Sequence, residues 1–292
     1  MRYALFLGCT IPARGQNYEM SAREVAKVLD IEFVNLENFA CCGTPLKSSD
    51  NFTSMVLAAR NLAIAGEKKL DICTLCSSCT SVLTEVNKEL NEDKNLRGKI
   101  NKELKKIGME FISGVKVKHL SRILYEDVGL DKIRSKIKKN LKDLRLSIHY
   151  GCHYLRPSDI YEKFDDAENP STIDKLVEIT GAKVVDYKNK LECCGGAILG
   201  VEQDISLNMA KKKLDNITSN KVDALVTICP FCTVMYQDNQ RKIESKFEVK
   251  YELPVLFYPQ VLGLAFGIDQ RKLGFRLNKV RANNLLEKLG VE

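Results

Sequence analysis

The chain has no tryptophan, only three histidines and seven prolines among 292 residues, and no apolar run long enough to cross a bilayer. The last absence argues against a membrane-spanning helix. The apolar stretch ahead of Cys9 is also too short for a secretory signal, so a soluble cytoplasmic protein is expected. The Gly-x-Gly-x-x-Gly fingerprint is missing too, which excludes hydride uptake from a dinucleotide by this chain alone. Its electrons would have to arrive from another protein.

The formal charge of +7 is confined to one region. From Lys88 to Arg145 there are 17 Lys and Arg against 9 Asp and Glu, a surplus of 8, and the remainder is close to neutral. Lysines there alternate with apolar residues at helical spacing and lack interleaved base-stacking residues. That pattern reads as a solvated helix face, and no nucleic-acid partner is expected. A basic docking face for an acidic partner protein stays open.

What the chain has in quantity is cysteine, eleven in all. A protein of this length can bury a core without staples, and clustered thiols in a reducing compartment are metal ligands or catalytic groups more often than disulfides. Two pairs are adjacent, Cys41-Cys42 and Cys193-Cys194, and neighbours bond to each other only with strain. Aligned by halves, the cysteines fall into one order. Cys9 is followed after 31 residues by Cys41-Cys42-Gly43 and after 33 more by Cys76-x-x-Cys79. Cys152 is followed after 40 residues by Cys193-Cys194-Gly195 and after 34 more by Cys229-x-x-Cys232. Val117, Leu124, Gly129 and Asp131 also match Val255, Leu262, Gly267 and Asp269 at a constant offset of 138.

This is an internal duplication, with domains expected at 1–143 and 144–292. Cys73 has no counterpart and stays outside the set, although a Cys73-x-x-Cys76 reading remains open. Short β-rich runs (Tyr3 to Leu7, Leu146 to Tyr150, Ala224 to Ile228) lead into the cysteines. Helical patterns follow at Thr53 to Leu70, Ser81 to Leu90, Ile205 to Ile217 and Val234 to Ile243. The expected fold is α/β: two similar domains related by a pseudo-twofold, each a small, mainly parallel sheet with flanking helices. In such sheets sites gather at the carboxyl ends of the strands, where Cys9, Cys76, Cys152 and Cys229 would lie.

Five thiolates per half exceed the four that a zinc site or a cubane uses. Side chains of adjacent residues diverge, so each pair suits two irons of an extended cluster. One iron–sulfur assembly per half is the reading, with four ligands plus a spare as its alternative and zinc in one half as another. His153, next to Cys152, is the candidate proton donor, a structural role being the competing reading. His149, inside a strand, and His119, at a helix start, read as structural. Arg14 and Arg156 follow the lone cysteines and could clamp anions; Lys47, Lys188 and Lys190 are weaker candidates.

A duplicated C…CCG…C-x-x-C pattern over nearly the whole chain resembles the B subunits of the heterodisulfide reductases of methanogenic archaea. The lysine-rich, tryptophan-free composition fits such a source. The resemblance implies two noncubane [4Fe-4S] clusters. Cys9, Cys41, Cys42, Cys76 and Cys79 would hold one, and Cys152, Cys193, Cys194, Cys229 and Cys232 the other. It implies reduction of the coenzyme M–coenzyme B heterodisulfide, a substrate with anionic groups, to two thiols in methanogenesis. It also implies electron delivery from the C subunit of the heterodisulfide reductase, with the flavin-bearing A subunit beyond it and a hydrogenase or formate dehydrogenase in a larger assembly. The competing readings are a CCG-domain component of a succinate, fumarate, lactate or glycolate oxidoreductase, and a non-catalytic iron–sulfur wiring module.

Overall fold

The computed structural model describes residues 1–291 and contains two four-stranded sheets, one in each half. The first half runs β1 (Arg2–Phe6), α1 (Thr10–Arg14), α2 (Gln16–Val28), β2 (Glu32–Val34), α3 (Asn51–Glu67), β3 (Ile72–Thr74), α4 (Ser77–Glu92), α5 (Lys94–Lys105), β4 (Val117–His119), α6 (Leu120–Arg122) and α7 (Leu130–Lys136). The second runs β5 (Arg145–His149), α8 (Cys152–Leu155), α9 (Thr172–Glu178), β6 (Lys183–Val184), α10 (Gln203–Thr218), β7 (Ala224–Thr227), α11 (Pro230–Thr233), α12 (Gln240–Phe247), β8 (Val255–Phe257), α13 (Tyr258–Ala265) and α14 (Asn283–Lys288). One π-helical turn, Ile123–Val128, follows α6, and another, Val234–Asp238, separates α11 from α12.

All strand pairs are parallel, and the orders β2-β1-β3-β4 and β6-β5-β7-β8 are the same topology twice. Their registers agree: Phe6 stands opposite Thr74, and His149 opposite Thr227. Both sheets change winding direction between their two central strands, which opens a crevice at the carboxyl ends of β1 and β3 and again at β5 and β7. The lone cysteine of each half follows the first central strand and the C-x-x-C follows the second. Topology alone thus brings together residues about 70 positions apart in sequence.

Two apolar cores form, and each draws on both halves. One includes Tyr18, Leu146, Tyr150 and Tyr258; the other includes Phe6, Leu62, Leu83, Leu207 and Tyr236 together with Cys42, Cys76, Cys79, Cys194, Cys229 and Cys232. The halves interlock reciprocally, since α1 packs on α11 as α4 packs on α8, and α2 packs on α13.

The carbonyl of Ile228, just before the second C-x-x-C, is clamped from the first half. The Tyr18 hydroxyl donates to it at 3.1 Å, and His119 Nε2 donates at 2.9 Å. Burial holds the His119 imidazole down at about 4, so the ring is neutral, and its Nδ1 accepts from Ser121 N–H. The structural reading of His119 therefore has a concrete form. Tyr18→Phe keeps the stack on Phe257 and leaves the carbonyl one donor; a loss of about 1 kcal/mol in denaturant unfolding is expected.

Candidate metal centre

Cys76 and Cys229 are the N-caps of α4 and α11, where unpaired backbone N–H groups favour thiolate. Behind each, a pair of threonines locks helix to strand: Thr74 to Thr80 at 2.5 Å, Thr227 to Thr233 at 2.7 Å. The adjacent cysteines enter on loops pinned to the next helix, where Ser54 Oγ donates to Gly43 C=O at 3.0 Å and Ser206 Oγ to Gly195 C=O at 2.8 Å. Gly43 and Gly195 have φ of +96° and +81°, and their N–H groups point at Cys41 Sγ and Cys193 Sγ, 3.5 and 3.4 Å away.

The thiols touch in sequence, and the members of each adjacent pair meet instead of diverging as the sequence led one to expect. In the first half Cys41 contacts Cys42, Cys42 contacts Cys79, and Cys79 contacts Cys76. In the second, Cys152 contacts Cys193, Cys193 contacts Cys194, Cys194 contacts Cys232, and Cys232 contacts Cys229. Cys76 and Cys229 then contact each other, joining the two series at the pseudo-twofold. Nine of the ten expected ligands thus form one row. The tenth, Cys9, is exposed and close enough to Cys41 to act on it electrostatically. Cys73 is fully buried in β3 beside Leu5, in the other apolar core, and burial pushes its thiol up. It is a core residue, which closes the Cys73-x-x-Cys76 reading.

Sharing of protons along the row splits the thiols. Cys42 is driven far below the ordinary thiol range by donation from Cys41 and then Cys79, and Cys193 by donation from Cys152 and then Cys194; Cys41 and Cys152 are raised in turn. Stacked sulfurs that must share protons are suited to soft, multivalent cations.

A direct test of fit comes from polar groups beside the row. His149 Nε2 and the Tyr236 hydroxyl are buried without hydrogen-bond partners. A ring nitrogen of His149 and the sulfurs of Cys194 and Cys232 lie within 4.8 Å of one another. Buried donors left unpaired are costly, and sulfur ligands or sulfides of a bound cluster would accept from them. The residues fit an iron–sulfur group.

Two features were not visible in the sequence. His149, read as structural, ends β5 inside the second site, its imidazole held neutral by burial and by neighbouring Lys213. Lys213 of α10 is 1% exposed; burial lowers its ammonium to about 8 while the charges of Cys232 and Cys194 oppose that shift.

The remaining candidates are scattered. His153 is exposed on α8 beside Cys152, and its carbonyl accepts from the Tyr161 hydroxyl at 2.6 Å. Arg156 and Lys190 line a cavity of about 940 Å³ that opens on Cys152 and Cys193. Arg156 donates to Ala167 C=O there, and Lys190 is tied to Asp174 at 2.7 Å. Arg14 lines a separate cavity of about 540 Å³ with Arg241, Lys279 and Asp238. Lys47 is paired with Glu85, and Lys188 is exposed. Lys47 and Lys190 therefore already have counterions, which weakens them as anion clamps.

The cysteine-rich domain family CCG matches residues 3–84 and 146–237. The chain is 37% identical over 292 residues to the B subunit of the ferredoxin:CoB-CoM heterodisulfide reductase of Methanosarcina mazei, covering 99% of this chain and 97% of that protein. It is 34% identical over 278 residues to a protein of Archaeoglobus profundus described as like the B subunit of heterodisulfide reductase, covering 94% and 93%. It is also 31% identical over 287 residues to the 8-methylmenaquinol:fumarate reductase membrane anchor subunit of Wolinella succinogenes, covering 97% and 98%. Among solved structures, a hypothetical protein from Helicobacter pylori superposes with a TM-score of 0.78 at 14% identity, over 96% of this chain and 52% of the other. This chain spans about half of that one, and the likeness shows the fold. No helix among the described residues is long and apolar enough to cross a membrane.

Proposed function

The chain belongs to the family of heterodisulfide reductase B subunits, built from two CCG cysteine-rich domains, and from that premise we propose that it reduces the coenzyme M–coenzyme B heterodisulfide to its two thiols. An oxidoreductase role follows from the family itself; the substrate is our reading. The observation that carries it is the row of thiols meeting at Cys76 and Cys229, because a disulfide has two sulfurs to be received and the row offers two duplicated sites joined at one point. We divide the chain at 1–143 and 144–292, with one noncubane [4Fe-4S] cluster in each unit held by the five cysteines of that half.

When bound, the clusters would supply the two electrons, one from each side. Cleavage of R–S–S–R′ takes two electrons and two protons and releases R–SH and R′–SH. His153, on the exposed turn beside Cys152, is our candidate to hand over one proton, its backbone fixed by Tyr161. Arg156, in the cavity opening on Cys152 and Cys193, is our candidate to orient an anionic substrate arm. Electrons reach the chain from an iron–sulfur partner, the C subunit in this reading, with the flavin-bearing A subunit behind it.

The similarity to a component of a menaquinol:fumarate reductase favours a second reading, in which the same cysteines exchange electrons with a quinone. Anaerobically reconstituted protein assayed with both acceptors separates the two. Heterodisulfide turnover, with about eight irons and matching sulfide per chain, is expected. Quinone turnover without heterodisulfide turnover would make the second reading correct.

A further inference from the structure

We propose that Lys213, acting with His149 and Tyr236, makes the iron–sulfur site of the second half the higher-potential member of the pair; the inference rests on the iron–sulfur reading above. The Lys213 ammonium is surrounded by uncharged partners. It donates to the carbonyls of Lys190 and Glu192 and to His149 Nδ1 at 3.2 Å. A buried cation needs negative charge nearby. The charges that act on it are, in order, those of Cys232, Cys194, Glu192 and Cys193, and the thiolate charges become permanent once these cysteines bind metal. The lysine is thus the counter-charge of a loaded site.

It also fixes the ring beside it. An ammonium only donates, so Nδ1 accepts and the imidazole proton sits on Nε2, the buried nitrogen that has no protein partner. That N–H, on a ring with one nitrogen within 4.8 Å of the sulfurs of Cys194 and Cys232, and the Tyr236 hydroxyl are buried donors without a protein partner.

The duplicate half shows what this arrangement adds. Ser54 and Ser206 make the same hydrogen bond, so seven residues further along the same helix Asn61 takes the position of Lys213. Asn61 braces the equivalent loop, accepting from Ala40 N–H and donating to Cys41 C=O, but it is neutral. Strand register puts Phe6 at the position of His149. Counting three residues past the matched Thr80 and Thr233 puts Leu83 at the position of Tyr236. One site has a cation, an N–H and an O–H where the other has an amide, a phenyl ring and an isobutyl group. Reduction adds negative charge, which a buried cation and donors to sulfur stabilise, so the second site holds its electron more tightly. Solvent at exposed Cys9 raises the first site somewhat, but water screens charge while the buried lysine acts unscreened.

The test is a potentiometric titration of the reconstituted full chain, followed by electron paramagnetic resonance, after iron and zinc analysis. Two redox waves are expected. Lys213→Met should lower the reduced-to-oxidised ratio of the upper wave about tenfold at a fixed potential, ~59 mV for one electron, and leave the lower wave in place. Lys213→Arg should restore it. Asn61→Lys, which acts on the other half and does not depend on the folding of the first variant, should raise the lower wave. Two iron signals whose potentials ignore both the Met and the Lys substitution overturn this inference alone. Zinc in the second half, or no redox-active iron, overturns the cofactor reading and this inference with it.

Discussion

Cys194→Ala is expected to leave about four irons per chain instead of about eight and to lower heterodisulfide turnover more than about a hundredfold. Cys194 is 6% exposed and stands in the middle of its series, touching Cys193 on one side and Cys232 on the other. Its loss severs the second site while the first retains its own unbroken contacts from Cys41 to Cys76. Cys42→Ala should do the same to the first half, because Cys42 links Cys41 to Cys79. Each variant should still accept electrons at its remaining site from an artificial donor, as the iron signal of the intact half would report. Loss of disulfide reduction with that electron uptake preserved counts against a mere wiring module. Full iron content in Cys194→Ala, or turnover within tenfold of the parent, would mean that the sulfur row is not the catalytic centre.

The duplicated cysteine order could be read from the sequence because a thiol is a residue type and its spacing survives duplication. The strands were also legible: Tyr3 to Leu7 against the observed Arg2–Phe6, and Ala224 to Ile228 against Ala224–Thr227. Short β-branched and aromatic runs in parallel sheets are buried on both faces and carry their own signal. The predicted helix Val234 to Ile243 holds a π turn at Val234–Asp238 before α12 begins. Hydrophobic spacing at this length does not distinguish that turn from an α-helical one.

What the sequence hid depends on contacts between the halves and on residues between the cysteines. Nothing in either C-x-x-C says that Cys76 will meet Cys229; that follows from α1 packing on α11 and α4 on α8. No motif sets Lys213 apart from the chain's other lysines, and its burial in α10 is visible only in the fold. His149 was correctly placed in a strand, yet its ring is set beside two sulfurs by a sheet register that composition does not encode. Lys47 and Lys190 were plausible clamps by proximity, and their carboxylate partners, Glu85 and Asp174, are visible only in space.

At the glycine that closes the first cysteine pair a single methyl group runs into backbone. At Gly43 a Cβ would stand 2.5 Å from Ser54 O, 2.7 Å from its Oγ and 3.0 Å from its Cα, at a φ of +96°. The left-handed backbone alone costs an alanine about 1–2 kcal/mol. The clash is with backbone in the first turn of α3, which cannot swing aside as a flexible side chain would. Relief requires the loop of Cys41 and Cys42 to lift off that helix, breaking the Ser54 to Gly43 hydrogen bond. Gly43→Ala should therefore cost about 3 kcal/mol or more, a drop in Tm of about 5–10 °C, together with loss of the first half's iron. Gly195→Ala should be milder, because its nearest contacts are 2.9 and 3.2 Å from Ser206. Gly98→Ala, inside α5 with nothing within 4 Å, should instead stabilise the protein by up to about 1 kcal/mol. Calorimetry of the three variants, with iron content measured on each, checks the order; a Gly43→Ala protein that melts with the parent and keeps all its iron would show that the loop does not depend on this contact.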